Sequence, residues 1–148
     1  MGIYLNPGNE GFQSALRSQI YVDKTQMLEY TNSVLDTEQR YICVSRPRRF
    51  GKSVTAEMLT AYYDRSCDSS ELFKGRKITE KEDYERHRNQ YDVLHMDINS
   101  FRNQTAGAER IVTVLQKAVM EELRECYPEC FAEEIPQLSS ALSRINKA

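Results

Sequence analysis

The spacing of apolar residues changes several times along the chain, and each change marks an element. Between residues 108 and 126, Ile111, Val112, Leu115, Ala118, Val119 and Leu123 recur at intervals that keep one face of a 3.6-residue helix apolar. This pattern predicts an amphipathic helix that packs its stripe into a core and stops before Pro128. After a short segment around Cys130 and Phe131 and a break at Pro136, Leu138, Ala141, Leu142 and Ile145 predict a last helix from about Gln137. Val54, Met58, Leu59 and Tyr62 predict another, from Lys52 to about Asp64. Met27, Leu28, Thr31, Val34 and Leu35 predict a fourth, with Asp23 and Gln26 spaced as a capping box at its start. A short helix is expected near Phe12 to Leu16, after the turn residues Asn6-Pro7-Gly8-Asn9, and a helical turn at Ser70–Phe73, ended by Gly75.

Two runs have a different character. Tyr41-Ile42-Cys43-Val44 and Tyr91-Asp92-Val93-Leu94-His95-Met96-Asp97-Ile98 are short and nearly continuous in apolar content. Such runs fit strands of a parallel sheet covered on both faces. Ile20-Tyr21-Val22 reads as a brief extended segment, and Gln104–Gly107 as a loop. Thr79 and Glu82 suggest a capping box for a helix reaching about Asn89. That helix is almost wholly charged, so it is expected to be exposed, with His87 on its solvated face and without a function.

Composition narrows the class. The chain has 148 residues, 40% hydrophobic and 28% charged, with a formal net charge of −2, so it is long enough for one domain with a core. Near-neutral charge argues against a general nucleic-acid coat, although an arginine cluster is locally basic. There is no apolar run long enough to span a bilayer and no signal-peptide pattern, and Asn6 breaks the myristoylation pattern that Gly2 would begin. A cytoplasmic location is therefore expected. Cys43, Cys67, Cys126 and Cys130 lack paired C-x-x-C spacing, and His87 and His95 are remote from Cys126 and Cys130. The cysteines read as reduced thiols rather than zinc ligands.

The chemistry concentrates in Arg46-Pro47-Arg48-Arg49-Phe50-Gly51-Lys52-Ser53. It lies between an expected strand and an expected helix, the setting of a phosphate-binding loop. Backbone N–H groups and the positive end of the following helix suit a cluster of phosphate oxygens. Gly51 lets the backbone turn with φ > 0 and approach the anion closely. Lys52 can bridge β- and γ-phosphates, and the Ser53 hydroxyl can join the oxygen shell of Mg²⁺. Arg48, Arg49, Phe50 and Val54 complete the candidate nucleotide-binding set, and Thr55 is placed to touch an α-phosphate. The full pattern G-x-x-x-x-G-K-[ST] is not met, because Arg46 stands where the first glycine belongs. The bland alternative is a solvated basic turn. Asp97, at the end of the second expected strand, is a candidate for the metal shell, with Asn99, Ser100 and Arg102 on the same edge.

Tyr21-Val22-Asp23-Lys24-Thr25, the loop from Ser45 to Ser53, Leu72-Phe73-Lys74-Gly75 and Val93-Leu94-His95-Met96-Asp97 resemble the predicted AAA-ATPase-like family of bacteria. The resemblance covers nearly the whole chain, and Arg-Pro-Arg-Arg-Phe-Gly-Lys-Ser is that family's own loop variant. It implies an α/β fold, a P-loop NTPase-like parallel sheet flanked by helices, with 1–39 a helical lead-in and 40–148 the strand-helix core. Two strands are few for such a sheet, so an incomplete one is expected. Residues 1–148 then read as the N-terminal portion of a larger ATPase domain or a shortened product. Family members usually continue into a strand ending in Asp-Glu, and many carry a C-terminal nuclease-like domain; neither stands in this sequence.

The resemblance further implies ATP and Mg²⁺ as cofactors and hydrolysis of ATP, with Tyr21–Lys24 next to the nucleotide site. No residue is identified that would orient the attacking water. One alternative is a module that binds nucleotide without hydrolysing it; another is an arginine-rich loop that binds nucleic-acid phosphates without ATP. A small kinase would need an acceptor site and a lid, which the sequence does not offer. Arg46, Arg48 or Arg49 acting across a subunit interface is the oligomeric alternative.

Overall fold

The computed structural model describes residues 2–102, 108–132, 135 and 137–147. The loop expected at 104–107 and the break at Pro136 lie outside the described residues, as does the side chain of Arg102. The described helices are α1 (Glu10–Leu16), α2 (Gln26–Val34), α3 (Lys52–Tyr63), α4 (Ser70–Phe73), α5 (Tyr84–His87), α6 (Ile98–Arg102), α7 (Ala108–Cys126) and α8 (Leu138–Ile145). Short 3₁₀ turns lie at Glu38–Arg40, Lys77–Glu80 and Pro128–Phe131. None of the helices among the described residues is long and apolar enough to cross a membrane.

The expected parallel sheet is not present: the described residues form no strand, and the domain is helical. Backbone pairing of β type is limited to two isolated bridges, Asp64 with Tyr91 in parallel sense and Leu5 with Leu94 in antiparallel sense. The physical reason lies in what a strand is. An apolar run becomes a strand only when a second segment takes up its N–H and C=O groups. Every residue from Tyr41 to Phe50 is exposed, and no described backbone hydrogen bond joins 41–45 to another segment. The run from Tyr91 makes single pairings and then turns into α6 at Ile98.

The described residues divide into two compact units, one comprising Asn6–Val93 and the other Gly2–Leu5 with the described residues after Val93. The first is held by an aromatic core. Phe12 stacks on Phe73 with centroids 5.2 Å apart, and Tyr62 meets Phe73 edge-on at 5.5 Å. Leu28, Met58, Ala61 and Ile78 complete it, all at most 1% exposed. Several buried polar groups here are matched. Asn32 Nδ2 donates to the Tyr62 hydroxyl at 2.9 Å, which donates to Tyr84 O at 2.9 Å, and Tyr63 donates to Asn32 Oδ1 at 2.7 Å. The fully buried Asp64 accepts from Gly8 N–H at 2.6 Å and Ser66 N–H at 2.7 Å. Matched in this way, such groups avoid the cost of an orphaned buried polar atom.

The charged helix expected to reach Asn89 is instead a 3₁₀ turn followed by the single-turn α5. Thr79 makes no cap there; its hydroxyl donates to Arg76 O at 2.7 Å. His87 is buried rather than solvated, with Nδ1 2.6 Å from the Tyr91 hydroxyl. Tyr84 and His87, three residues apart, are the inward face of this turn, and the charges around them concealed it.

In the second unit, α7 has the bounds that its periodicity predicts, and Leu115, Val119 and Leu123 are buried against Leu5, Phe101, Ile135 and Ala141. Val112, at the edge of the stripe, remains exposed. Glu122 accepts from Tyr4 N–H at 3.0 Å and Leu5 N–H at 3.0 Å, tying the extended N-terminal residues to this helix.

Candidate functional site

The loop from Arg46 to Gly51 enters α3 directly. Gly51 caps this helix in the left-handed region, with φ +76° and ψ 29°. Arg49 also has positive φ, at 68°, so the chain turns twice in three residues. Glycine accepts that geometry at no steric cost, whereas arginine does so only where its surroundings hold it. Behind the turn, Gly51 O accepts from Thr55 N–H and from the Thr55 hydroxyl, both at 2.9 Å. Thr55 is buried and fixes the first turn of α3 to the loop.

Lys52 folds back over the loop. Its ammonium donates to Arg46 O, and to Pro47 O at 3.1 Å. The loop backbone therefore curls around a cation, held on its carbonyl side. Ser53 follows in the first turn of α3 and is exposed. Arg46, Arg48, Arg49 and Phe50 are exposed too, and Val54 is half-buried.

A second segment reaches the same place. Lys24, just before α2, donates to Phe50 O at 2.7 Å. It lies so close that a Cβ built on Gly51 would sit 2.5 Å from its Nζ. Between the two segments runs a groove of about 370 Å³. Ile20, Tyr21, Val22 and Lys24 line one side, with Ala15 and Ser18 of the α1 end; Arg49, Phe50, Gly51 and Val54 line the other. The apolar lips are exposed: Ile20 at 86%, Val22 at 65% and Phe50 at 59%.

The residues beneath the groove are held firmly. The Tyr21 ring lies under the Arg76 guanidinium at 4.8 Å and meets Phe12 edge-on at 6.0 Å. Burial pushes the Tyr21 phenol above its ordinary range, against the pull of Arg76, and its hydroxyl has no partner. Burial also works to raise the Asp23 carboxyl, but hydrogen bonds from Thr25 and Lys77 N–H and the charge of Arg76 outweigh it. The net effect holds Asp23 below the usual carboxylate range. Its Oδ1 accepts from Thr25 N–H at 2.9 Å, an Asx turn that starts α2 in place of the expected capping box.

The contiguous residues 46–54 thus come together with Lys24, which lies more than twenty residues earlier. Ile20, Ala15 and Ser18 were not singled out by the sequence; no motif marks an exposed apolar lip. Asp97 belongs to the other unit, where it is exposed and caps α6 by accepting from Asn99 N–H at 2.9 Å and from the Ser100 hydroxyl through its main-chain oxygen. Among the described residues, no three His, Cys, Asp or Glu side chains gather as metal ligands. A divalent cation at the loop would therefore depend on phosphate oxygens as well as on Ser53, and an exposed hydroxyl in the first turn of α3 fits that role.

No match was found among curated proteins or among solved structures. A family model described as predicted AAA-ATPase matches residues 10–147, which include the loop, the groove and α3. Since that match takes in nearly the whole sequence, the chain belongs to the predicted AAA-ATPase-like family, a membership consistent with nucleotide binding.

Proposed function

We propose that the chain binds a nucleoside triphosphate, ATP, with Mg²⁺ at Arg46–Ser53, and that the site serves ATP hydrolysis. The observation that carries this reading is the loop curled around the Lys52 ammonium, with Gly51 in the left-handed region at the start of a twelve-residue helix. An ammonium resting on two carbonyls exchanges them for phosphate oxygens, its stronger partners, without rebuilding the backbone. The N–H groups at the start of α3 and the side chains of Arg48 and Arg49 add positive potential for the same anion. Ser53 would hold the metal together with the phosphates. Mg²⁺ bound there would supply neutralisation of the phosphate charge. The groove between Val22 and Phe50 accepts the flat, apolar base, and Val54 closes its inner end.

A second reading is favoured by one observation. Hydrolysis needs a group that orients water at the γ-phosphate. Asp23, the carboxylate next to Lys24, already accepts from Thr25 N–H at 2.9 Å and Lys77 N–H at 3.4 Å. A site without a free carboxylate binds nucleotide and turns it over slowly or not at all.

Calorimetry with Mg²⁺ and a slowly hydrolysed ATP analogue tests the first statement. The chain binds saturably, and Lys52→Ala weakens binding by tenfold or more, about 1.4 kcal/mol. Absence of binding to the folded chain overturns it. Phosphate release from ATP, measured in parallel, separates the ATPase from the binder.

A further inference from the structure

Residues 40–56 contain Arg40, Arg46, Arg48, Arg49 and Lys52 and no acidic residue. Set against the chain total of −2, these five charges leave −7 on the remaining residues. Elsewhere in the same unit, four cations are paired: Arg65 with Asp92, Lys74 with Glu71, Lys81 with Glu29, and Arg88 with Asp68 and Glu85. Among the described residues, none of the five has a carboxylate within ion-pair distance. A Mg²⁺-bound triphosphate brings a net charge of about −2, so it leaves a surplus of about three positive charges on this strip.

The strip is also aromatic and open. Tyr41 is 81% exposed and Phe50 59%, with Ile42 and Val44 exposed between them. Arg40 lies over the Tyr41 ring at 5.0 Å, a cation–π contact. From Tyr41 to Pro47 the backbone is in no helix or strand. Cations alternating with exposed rings along an open segment are what a single-stranded nucleic acid requires: charge for its phosphates, π-faces for its unstacked bases. An acidic peptide would use the charges and leave the rings without purpose.

We propose that residues 40–50 form a binding surface for single-stranded nucleic acid that extends from the nucleotide site, overlapping it at Arg46–Phe50. Arg40, Arg46 and Arg48 contact phosphates, and Tyr41 stacks on a base. A site of this length covers about four nucleotides, the low end for small single-strand binders. The preference is electrostatic and for unpaired bases, not for sequence.

The test is fluorescence anisotropy of a labelled thymidine 12-mer titrated with the full chain at several salt concentrations. The logarithm of affinity falls with the logarithm of salt with a slope of about −2 if the three arginines meet phosphates. The double variant Arg40→Ala, Tyr41→Ala weakens the oligonucleotide at least tenfold and leaves calorimetric binding of the Mg²⁺–ATP analogue unchanged. Both side chains are exposed, and circular dichroism verifies that the variant keeps its fold. No oligonucleotide binding at low salt overturns the proposal. So does poly-glutamate competing as well as the oligonucleotide while Tyr41→Ala changes nothing, which would mark the strip as a surface for acidic proteins. An oligonucleotide bound by a chain that takes no Mg²⁺–nucleotide would refute the nucleotide reading and leave this one standing.

Discussion

Gly51 is the residue on which the loop geometry turns. Its φ of +76° lies where side chains are strained, so Gly51→Ala costs about 1 kcal/mol in the backbone alone. The added methyl also meets Lys24 Nζ, the far end of a flexible side chain that moves cheaply. Moving it, however, breaks the bond to Phe50 O that joins the two sides of the groove. Lys24→Met separates these effects: it keeps the stem, removes the donor and leaves Gly51 unstrained. Thermal melts are expected to show Gly51→Ala less stable than Lys24→Met, while calorimetry shows both weakening the Mg²⁺–ATP analogue. Full-strength binding by Lys24→Met would mean that the earlier segment has no part in the site. The turn into α3 at Gly51 was legible from the contiguous loop, where Gly, Lys and Ser are side by side. Lys24 was legible only through the resemblance carried by Tyr21–Lys24, because no local rule joins a lysine before α2 to a carbonyl before α3.

Elements were legible where periodicity carried them. The stripe of α7 and the extents of α3 and α8 needed only 3.6-residue spacing, and the observed bounds fall on or near those expected. The apolar runs at 41–44 and 91–98 failed as strands because periodicity cannot report whether a partner segment exists. The tie between α7 and residues 4–5 was invisible for a similar reason: Glu122 sits among other charges on a helix that reads as amphipathic. Its carboxylate meets Tyr4 and Leu5 N–H groups that have no other described acceptor. Glu122→Ala leaves them unmet in a half-buried place and costs about 1–3 kcal/mol. Glu122→Gln keeps one acceptor oxygen and costs less. Urea unfolding orders the three proteins by midpoint, wild type above Gln above Ala. Equal midpoints would show that water replaces the carboxylate without loss.

The tyrosines set the behaviour of the molecule at high pH. The chain has nine, and Tyr21, Tyr62, Tyr63, Tyr84 and Tyr91 all have phenols raised above the ordinary range, in each case chiefly by burial. Tyr63 is pushed up to about 12, and the shift of Tyr62 is larger. A phenol that holds its proton more tightly when folded stabilises the fold fully below its unfolded value of about 10. That contribution is lost as pH rises through the folded value, so the unit with the aromatic core is expected to unfold between about pH 10 and 12. Asp23 has the opposite sign. Its folded value is depressed, so its contribution is present above the unfolded carboxylate value of about 3.9 and is lost as pH falls below it. The alkaline limit is the sharper one, because the Tyr62 and Tyr63 hydroxyls share one buried hydrogen-bonded network through Asn32, in which the first phenolate exposes the rest. Phenolate absorbance and far-ultraviolet circular dichroism, followed together against pH, are expected to move in one steep transition. If the absorbance of all nine tyrosines were complete near pH 10 with the helical signal intact, burial of these rings would not be what stabilises the core.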